Sequence, residues 1–327
     1  MAIVTAAAFS WPRRLAFLWL GLVLAAAVLA PVLPLPYPPG VPDLAHLAQA
    51  PLGTGQHWLG TDPDGRDVLS VLVFGARTAV LLTLPAALLS AFIGAGLGGA
   101  AGFWGNTLSV SLPYWVLAAG GAWWAARLPF PLLGLGLAAV GAGLAVGFRR
   151  RRLPSLPLPL GSVVLGAAVT LDTIPRLVLV VAMAAGTGLS TGGLLILFTL
   201  TAWPHPARLV RAQMLRVRVL PFIDAAHAAG VPAWRVWLRH AMPHAIRPLR
   251  AVLPLSLVSL LGLESTLSFL GIGLPPDVAS WGRLMATIRN EPSAWWVFVF
   301  PVSILILSIL SLTTLSKSQQ AHTGYGR

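Results

Sequence analysis

Several unbroken apolar runs near or above the ~20 residues that an α-helix needs to cross a ~30 Å hydrocarbon core leave this chain few possible folds. In lipid the backbone must satisfy its own hydrogen bonds, so a spanning segment is either a helix or part of a closed barrel. These runs lack the period-2 alternation of barrel strands. Only 9% of the 327 residues are charged, 57% are hydrophobic and the mean hydropathy is +0.81, whereas ordinary soluble proteins are about 25% charged. The expected fold class is an all-α polytopic membrane protein, a single helical bundle.

The runs fall near 15–33, 78–103, 111–126, 131–148, 173–189, 190–206, 248–270 and 295–315, giving about eight spans. The first follows Arg13 and Arg14 and exceeds a signal-peptide core, and no clear cleavage site precedes Pro31 to Pro39; it reads as a retained span with its N-terminus in the cytoplasm. On that topology sixteen of the 22 basic residues are cytoplasmic: Arg13, Arg14, Arg149 to Arg152, Arg208, Arg211, Arg216, Arg218, Arg235, Arg239, Arg247, Arg250, Lys317 and Arg327. This is the positive-inside asymmetry, and it places both termini in the cytoplasm. It also accounts for the net charge of +13 without nucleic acid. The expected organisation is a helix over 1–35, an extracytoplasmic loop over 36–77, and a core over 78–327. That core carries an apolar hairpin at 106–171 and a cytoplasmic segment at 205–250. Gly94, Gly98 and Gly102 recur every four residues in the second span, a pattern of close helix packing.

Two polar stretches stand out. HWLGTDPDGRD, His57 to Asp67, gathers three of the nine carboxylates. Asp62-Pro63-Asp64-Gly65 has the residues of a type I turn. Asp67 suits a cap on the following helix, and Arg66 suits an ion pair with a neighbouring carboxylate. His57 with Asp62, Asp64 and Asp67 lacks a recognisable metal-ligand spacing, so no metal site is expected there. The second stretch, His205 to Arg250, is too long for a passive connector. Phe222, Ala225, Ala226 and Ala229 form a small apolar stripe, and Gly230 then Pro232 supply a helix stop. Composition alone leaves open a helix that docks in a partner's groove or one that lies on lipid.

PFIDAAHAAGVPAWRVWLRHAMP resembles the cytoplasmic coupling motif of ABC importer permeases, E-A-A-x(3)-G-x(9)-I-x-L-P, with Asp224, Ala225, Ala226, Gly230 and Pro243 at its spacing. Asp224 stands for Glu, His240 for Ile and Met242 for Leu. HWLGTDPDGRDVLSVLVFGART is similar to H-x-L-G-T-D-x-x-G-R-D-x(2)-S-x(4)-G-A-R of the dipeptide, oligopeptide and nickel permeases, through Gly60, Thr61, Asp62, Gly65, Arg66 and Asp67. LESTLSFLGIGLPPDVASWGRLM is similar to that family's E-x(2)-L-S-F-L-G-x-G-x(2)-P-x(4)-W-G stretch, and its Glu264, Ser268 and Phe269 are candidate gate residues. The chain departs from the family in the inserted hairpin and in a C-terminus without the acidic G-D-x-x-R-D-type tail.

The resemblance implies a type I ABC importer permease bundle, a six-span core plus the hairpin, in the inner membrane. It further implies alternating access for peptides, a second homologous permease subunit and an extracytoplasmic substrate-binding protein. ATP and Mg would be held by separate ATPase subunits. This chain's sole lysine, Lys317, follows Ser316 and cannot complete a P-loop, so a transport subunit without its own ATP site is expected, not an enzyme. An ion-coupled secondary transporter is the rival, disfavoured by the scarcity of mid-span acids. Gly188-Leu189-Ser190-Thr191-Gly192 matches a nucleophile pattern but lacks the strand, histidine and acid that a hydrolase needs. Asp172 and Glu264 are the acids nearest the spans, read as helix caps, interhelical hydrogen bonds or pathway residues. Trp123, Trp124, Trp295 and Trp296 suit an interfacial aromatic belt.

Overall fold

The computed structural model describes residues 11–52, 57–110, 156–187 and 190–324. Helix α1 (Trp11–Leu29) is followed by an irregular loop and then by the long α2 (Val68–Phe103). Strands β1 (Leu108–Val110) and β2 (Leu156–Leu158) pair antiparallel, Leu108 against Leu158. Val110 and Leu156 therefore lie side by side; the expected spans at 111–126 and 131–148, Trp123, Trp124 and the arginine run lie outside the described residues.

Helices α3 (Leu160–Thr173) and α4 (Arg176–Thr187) follow, bent by 83° where they meet. The span expected from 173 thus begins as a helix at Leu160, with its break at Ile174-Pro175. Ile174 is extended at φ −91° and ψ 126°, because a proline disfavours the helical conformation of the residue before it. Next come α5 (Thr191–Ala202), capped by the Ser190 hydroxyl, which accepts from the Gly193 N–H at 3.2 Å, and α6 (Pro204–Val217). The serine of the nucleophile-like pattern is therefore a helix cap.

Helix α7 (Pro221–Ala228) leads to a helical passage over Ala233–Arg235, a π-helical turn Val236–Ala241 and Met242–Ala245. Helices α8 (Leu249–Phe269), α9 (Trp281–Ala286) and α10 (Trp296–Gly324) complete the chain. Among the described residues four helices are long and apolar enough to cross a membrane, or five if the bent α3–α4 pair is one span. The fold class is all-α and polytopic, as the sequence implies.

The packing of α2 on α6 organises the interior. A Cβ on Gly94 would lie 2.7 Å from the Trp203 carbonyl oxygen, one on Gly98 2.1 Å from that of Ala207, and one on Gly102 2.7 Å from Met214 Cβ. The glycine stripe is a seat for α6, whose backbone approaches closer than any side chain permits. Beneath it, Val210, Met214 and Val217 of α6 bury Ile223 of α7 together with Val236, Ala241 and Ala245. At the opposite end of α2, Val68, Leu72 and Ala76 pack with Trp281, Leu284 and Val297.

Candidate functional site

The residues of the GTDPDGRD stretch form a folded frame. Gly60 and Gly65 have φ of +78° and +82°, and added Cβ atoms would lie 2.3 Å from the Gln49 carbonyl oxygen and 2.5 Å from that of Asp43. Both positions need glycine for conformation and for space. The Gly65 N–H donates to the Asp62 carbonyl at 2.9 Å, closing the expected turn. The Asp62 carboxylate, 2% exposed, accepts from the backbone N–H groups of Asp64 (3.0 Å) and Arg66 (2.7 Å). Burial pushes its pKa up to about 6, with the two N–H donors and the Arg66 charge opposing and the Asp64 charge adding to the rise. Asp67 caps α2 by accepting from Ser70 N–H at 2.8 Å. Arg66 and Asp64 approach to 3.9 Å, an exposed pair of little energetic weight.

Asp67 also meets His57, 1% exposed, at 3.0 Å. Of His57, Asp62, Asp64 and Asp67, His57 and Asp67 bring their side chains together. The other ring nitrogen of His57 faces Asp43 at 3.4 Å, and Asp43 in turn bonds His46 at 2.8 Å. The His46 hydrogen bond, with the Ala45 N–H, holds the Asp43 carboxyl below the usual range. Sequence reading missed Asp43 and His46, whose irregular loop carries no periodic signal.

Glu264, 1% exposed, accepts from the Ser268 and Ser280 hydroxyls at 2.9 Å each and from Ser265 at 3.3 Å. It ties α8 to the cap of α9, since Ser280 Oγ also accepts from the Gly282 N–H. Trp281 donates its indole N–H to the Leu72 carbonyl at 2.9 Å and lies over Gly75, where a Cβ would come within 2.6 Å of the ring. Phe269 is half-buried under the Arg289 guanidinium, 4.3 Å from the ring centroid. Thus Glu264 and Ser268 come together, while Phe269 serves a separate contact at the end of α8. Arg283, which sequence reading also missed, donates to the carbonyls of Leu274, Pro275, Pro276 and Val278 and so fixes the turn before α9. Trp296 is not a belt residue: it is 5% exposed and donates to the Thr61 carbonyl at 2.9 Å. Trp295 beside it is exposed.

Asp172, at the α3–α4 bend, forms an ion pair with Arg208 of α6. Arg176 donates to the Ser259 hydroxyl of α8 at 3.1 Å. An open cleft of about 440 Å³ lies at this bend, lined by Asp172, Arg176, Thr201 and Ser259.

In the coupling stretch, α7 ends in a Schellman motif. The Val231 N–H donates to the Ala226 carbonyl (3.1 Å) and the Gly230 N–H to that of His227 (2.9 Å), with Gly230 at φ +78°. Ile223 is the one buried residue of this helix; Phe222, Asp224, Ala225 and Ala229 are exposed, and Ala226 is half-buried. A Cβ on Gly230 would meet nothing within 4 Å. Pro243 sits exposed in the first turn of Met242–Ala245, directly after the π-helical turn Val236–Ala241. The short helix is therefore seated by Ile223, with Ala226 packed beside it and the Phe222 ring 5.2 Å from that of His244, and it presents Ala225 and Ala229 outward.

The family model for binding-protein-dependent transport system inner membrane components matches residues 139–322. A putative peptide transport system permease protein of Brucella suis biovar 1 (strain 1330) is 29% identical over 304 residues, covering 92% of this chain and 83% of the relative. The dipeptide transport system permease protein DppC of Bacillus subtilis (strain 168) is 24% identical over 271 residues, 82% of this chain and 68% of that one. A solved structure of the MetNI methionine ABC transporter in an inward-facing conformation aligns at TM-score 0.38 and 17% identity, over 74% of this chain and 95% of that one. With more than half its length matched by the family model, and with the three motifs set in one helical bundle, the chain belongs to the binding-protein-dependent transport system inner membrane components, the permease subunits of ABC importers.

Proposed function

We propose that this chain is the permease of a peptide importer and that α7, with Gly230 and the passage to Pro243, is the element through which separate ATPase subunits drive it. The observation that carries the coupling assignment is the exposed stripe of Phe222, Ala225 and Ala229 on a helix whose one buried side chain is Ile223. An apolar helix face of this kind suits a groove in a partner. A push on α7 reaches α6 through Ile223, and α2 through the glycine seat, where backbone contact leaves no slack to absorb it. The relatives named for peptide and dipeptide transport support the substrate class.

On this reading both termini are cytoplasmic, a second similar permease completes the pathway and a binding protein delivers substrate to the face that carries the α1–α2 loop. ATP and Mg are bound by the ATPase partners. Glu264 and Ser268 act by holding the α8–α9 corner against α2, so that the corner moves with the helices.

The test is affinity purification of tagged protein from its native membranes. An ATPase should accompany the wild type and Gly230→Asn, because asparagine tolerates a positive φ, and should be lost from Gly230→Asp, which sets a charge on the docking face. Undiminished ATPase with Gly230→Asp would remove the docking assignment.

A further inference from the structure

We propose that Asp43, His46 and His57 form a binding site for a first-row divalent transition-metal ion of the zinc class. Asp43 Oδ2, His46 Nδ1 and His57 Nε2 all lie within 4.8 Å of one another. The carboxylate oxygen is 2.8 Å from the first nitrogen and 3.4 Å from the second. Bonds of about 2.0–2.2 Å to a tetrahedral ion put neighbouring ligand atoms roughly 3.3–3.5 Å apart. The two carboxylate–imidazole separations approach or meet that spacing, and the two nitrogens, within 4.8 Å of each other, complete the set as the exposed His46 side chain closes on the ion.

The surroundings of His57 set its chemistry. Asp67 Oδ1 faces Nδ1 at 3.0 Å, and the same carboxylate caps α2 through Ser70. Tyr37 stacks on the ring at 4.0 Å. The imidazole is thus pinned in the carboxylate–histidine arrangement that orients metal ligands and fixes their tautomer. With Asp67 at its Nδ1, His57 turns its Nε2 toward the Asp43 carboxylate.

The donor set selects the ion. Two imidazoles and one carboxylate suit zinc, cobalt or nickel, whereas magnesium and calcium want more oxygen ligands. The side chains of His46 and Asp43 are 46% and 26% exposed, so a fourth position opens to water. A bound ion joins the 43–46 turn to the residue that braces the start of α2.

The test uses the full chain with a tag free of histidine, stripped with chelator and held in lipid nanodiscs. Cobalt binding is read from its visible absorption and zinc binding by calorimetry. The wild type should bind one equivalent of either ion at micromolar concentrations, and His46→Ala should weaken binding by at least about tenfold. His46 is half exposed, so its loss leaves the His57–Asp67 brace in place, which an unchanged melting temperature of the metal-free protein verifies. Asp43→Asn, whose amide oxygen can still accept from Ala45 N–H, should weaken binding similarly. No binding by the wild type, or equal binding by His46→Ala, would overturn the assignment.

Discussion

Substituting Gly98 by alanine tests the contact on which the coupling account depends. The added methyl would lie 2.1 Å from the Ala207 carbonyl oxygen, against 3.4 Å or more in ordinary contact, so α2 and α6 must part by about 1.3 Å, and overpacking of this kind costs roughly 1–3 kcal/mol. The obstacle is backbone, which cannot rotate away, and separation also loosens the Gly94 and Gly102 contacts; the upper end of that range applies. Gly96 on the same helix has nothing within 4 Å of its Cβ position. Both variants gain about 1 kcal/mol of helix propensity from alanine, so their difference isolates the packing cost at about 3 kcal/mol. Thermal unfolding in detergent, followed by loss of the monodisperse species in size exclusion, should place Gly98→Ala on the order of 5 °C below Gly96→Ala. Because α6 carries α7, Gly98→Ala should also lower transport per assembled complex. Equal melting of the two variants would refute the claim that α6 is seated on the glycine face.

Further expectations address the loop, the coupling helix and the topology. Because the Asp62 pKa rises to about 6 from 3.8, the folded state holds the extra proton: the stability contributed by the neutral carboxyl is complete below about pH 4 and is lost as pH rises through about 6. Asp62→Asn keeps an acceptor for the two N–H groups, so it should flatten this slope and gain up to about 3 kcal/mol over wild type at pH 7.5; a pH series of melting temperatures decides. Ile223→Ala should release α7 at a cost of about 2–4 kcal/mol, seen as faster hydrogen exchange over 221–230 with little change in α2. A reporter fused after Arg152 should be cytoplasmic, because β1 and β2 bring the two ends of the inserted segment to one place; a periplasmic signal would overturn the proposed orientation.

What could be read from sequence was local. The Asp62–Gly65 turn, the Asp67 cap, the Gly230 stop and the glycine stripe each follow from spacing within one segment, and each is present in the fold. The break at Ile174-Pro175 was equally local: a proline inside the expected span at 173–189 carried the signal, and span counting by hydropathy overlooked it. Trp296 shows what spacing cannot supply, since its partner is the carbonyl of Thr61 more than two hundred residues earlier. Trp281 with Gly75 and Leu72, and His57 with Asp43, likewise need the tertiary fold to bring them together. The candidate coupling residues were legible through their motif, but that Ile223 is their buried anchor depends on the packing beneath α6.

The central claim, that the exposed face of α7 meets an ATPase, is most directly tested by cross-linking, because the chain contains no cysteine and each introduced one is unique. Ala225→Cys and Ala229→Cys, both exposed, should be joined by a short thiol–amine reagent in native membranes to a co-purifying ATPase subunit. Trp58→Cys, in the exposed loop before α2 at a position 71% accessible, should give no such product. Cross-linking to the ATPase from position 58, or none from either position on α7, would contradict the account.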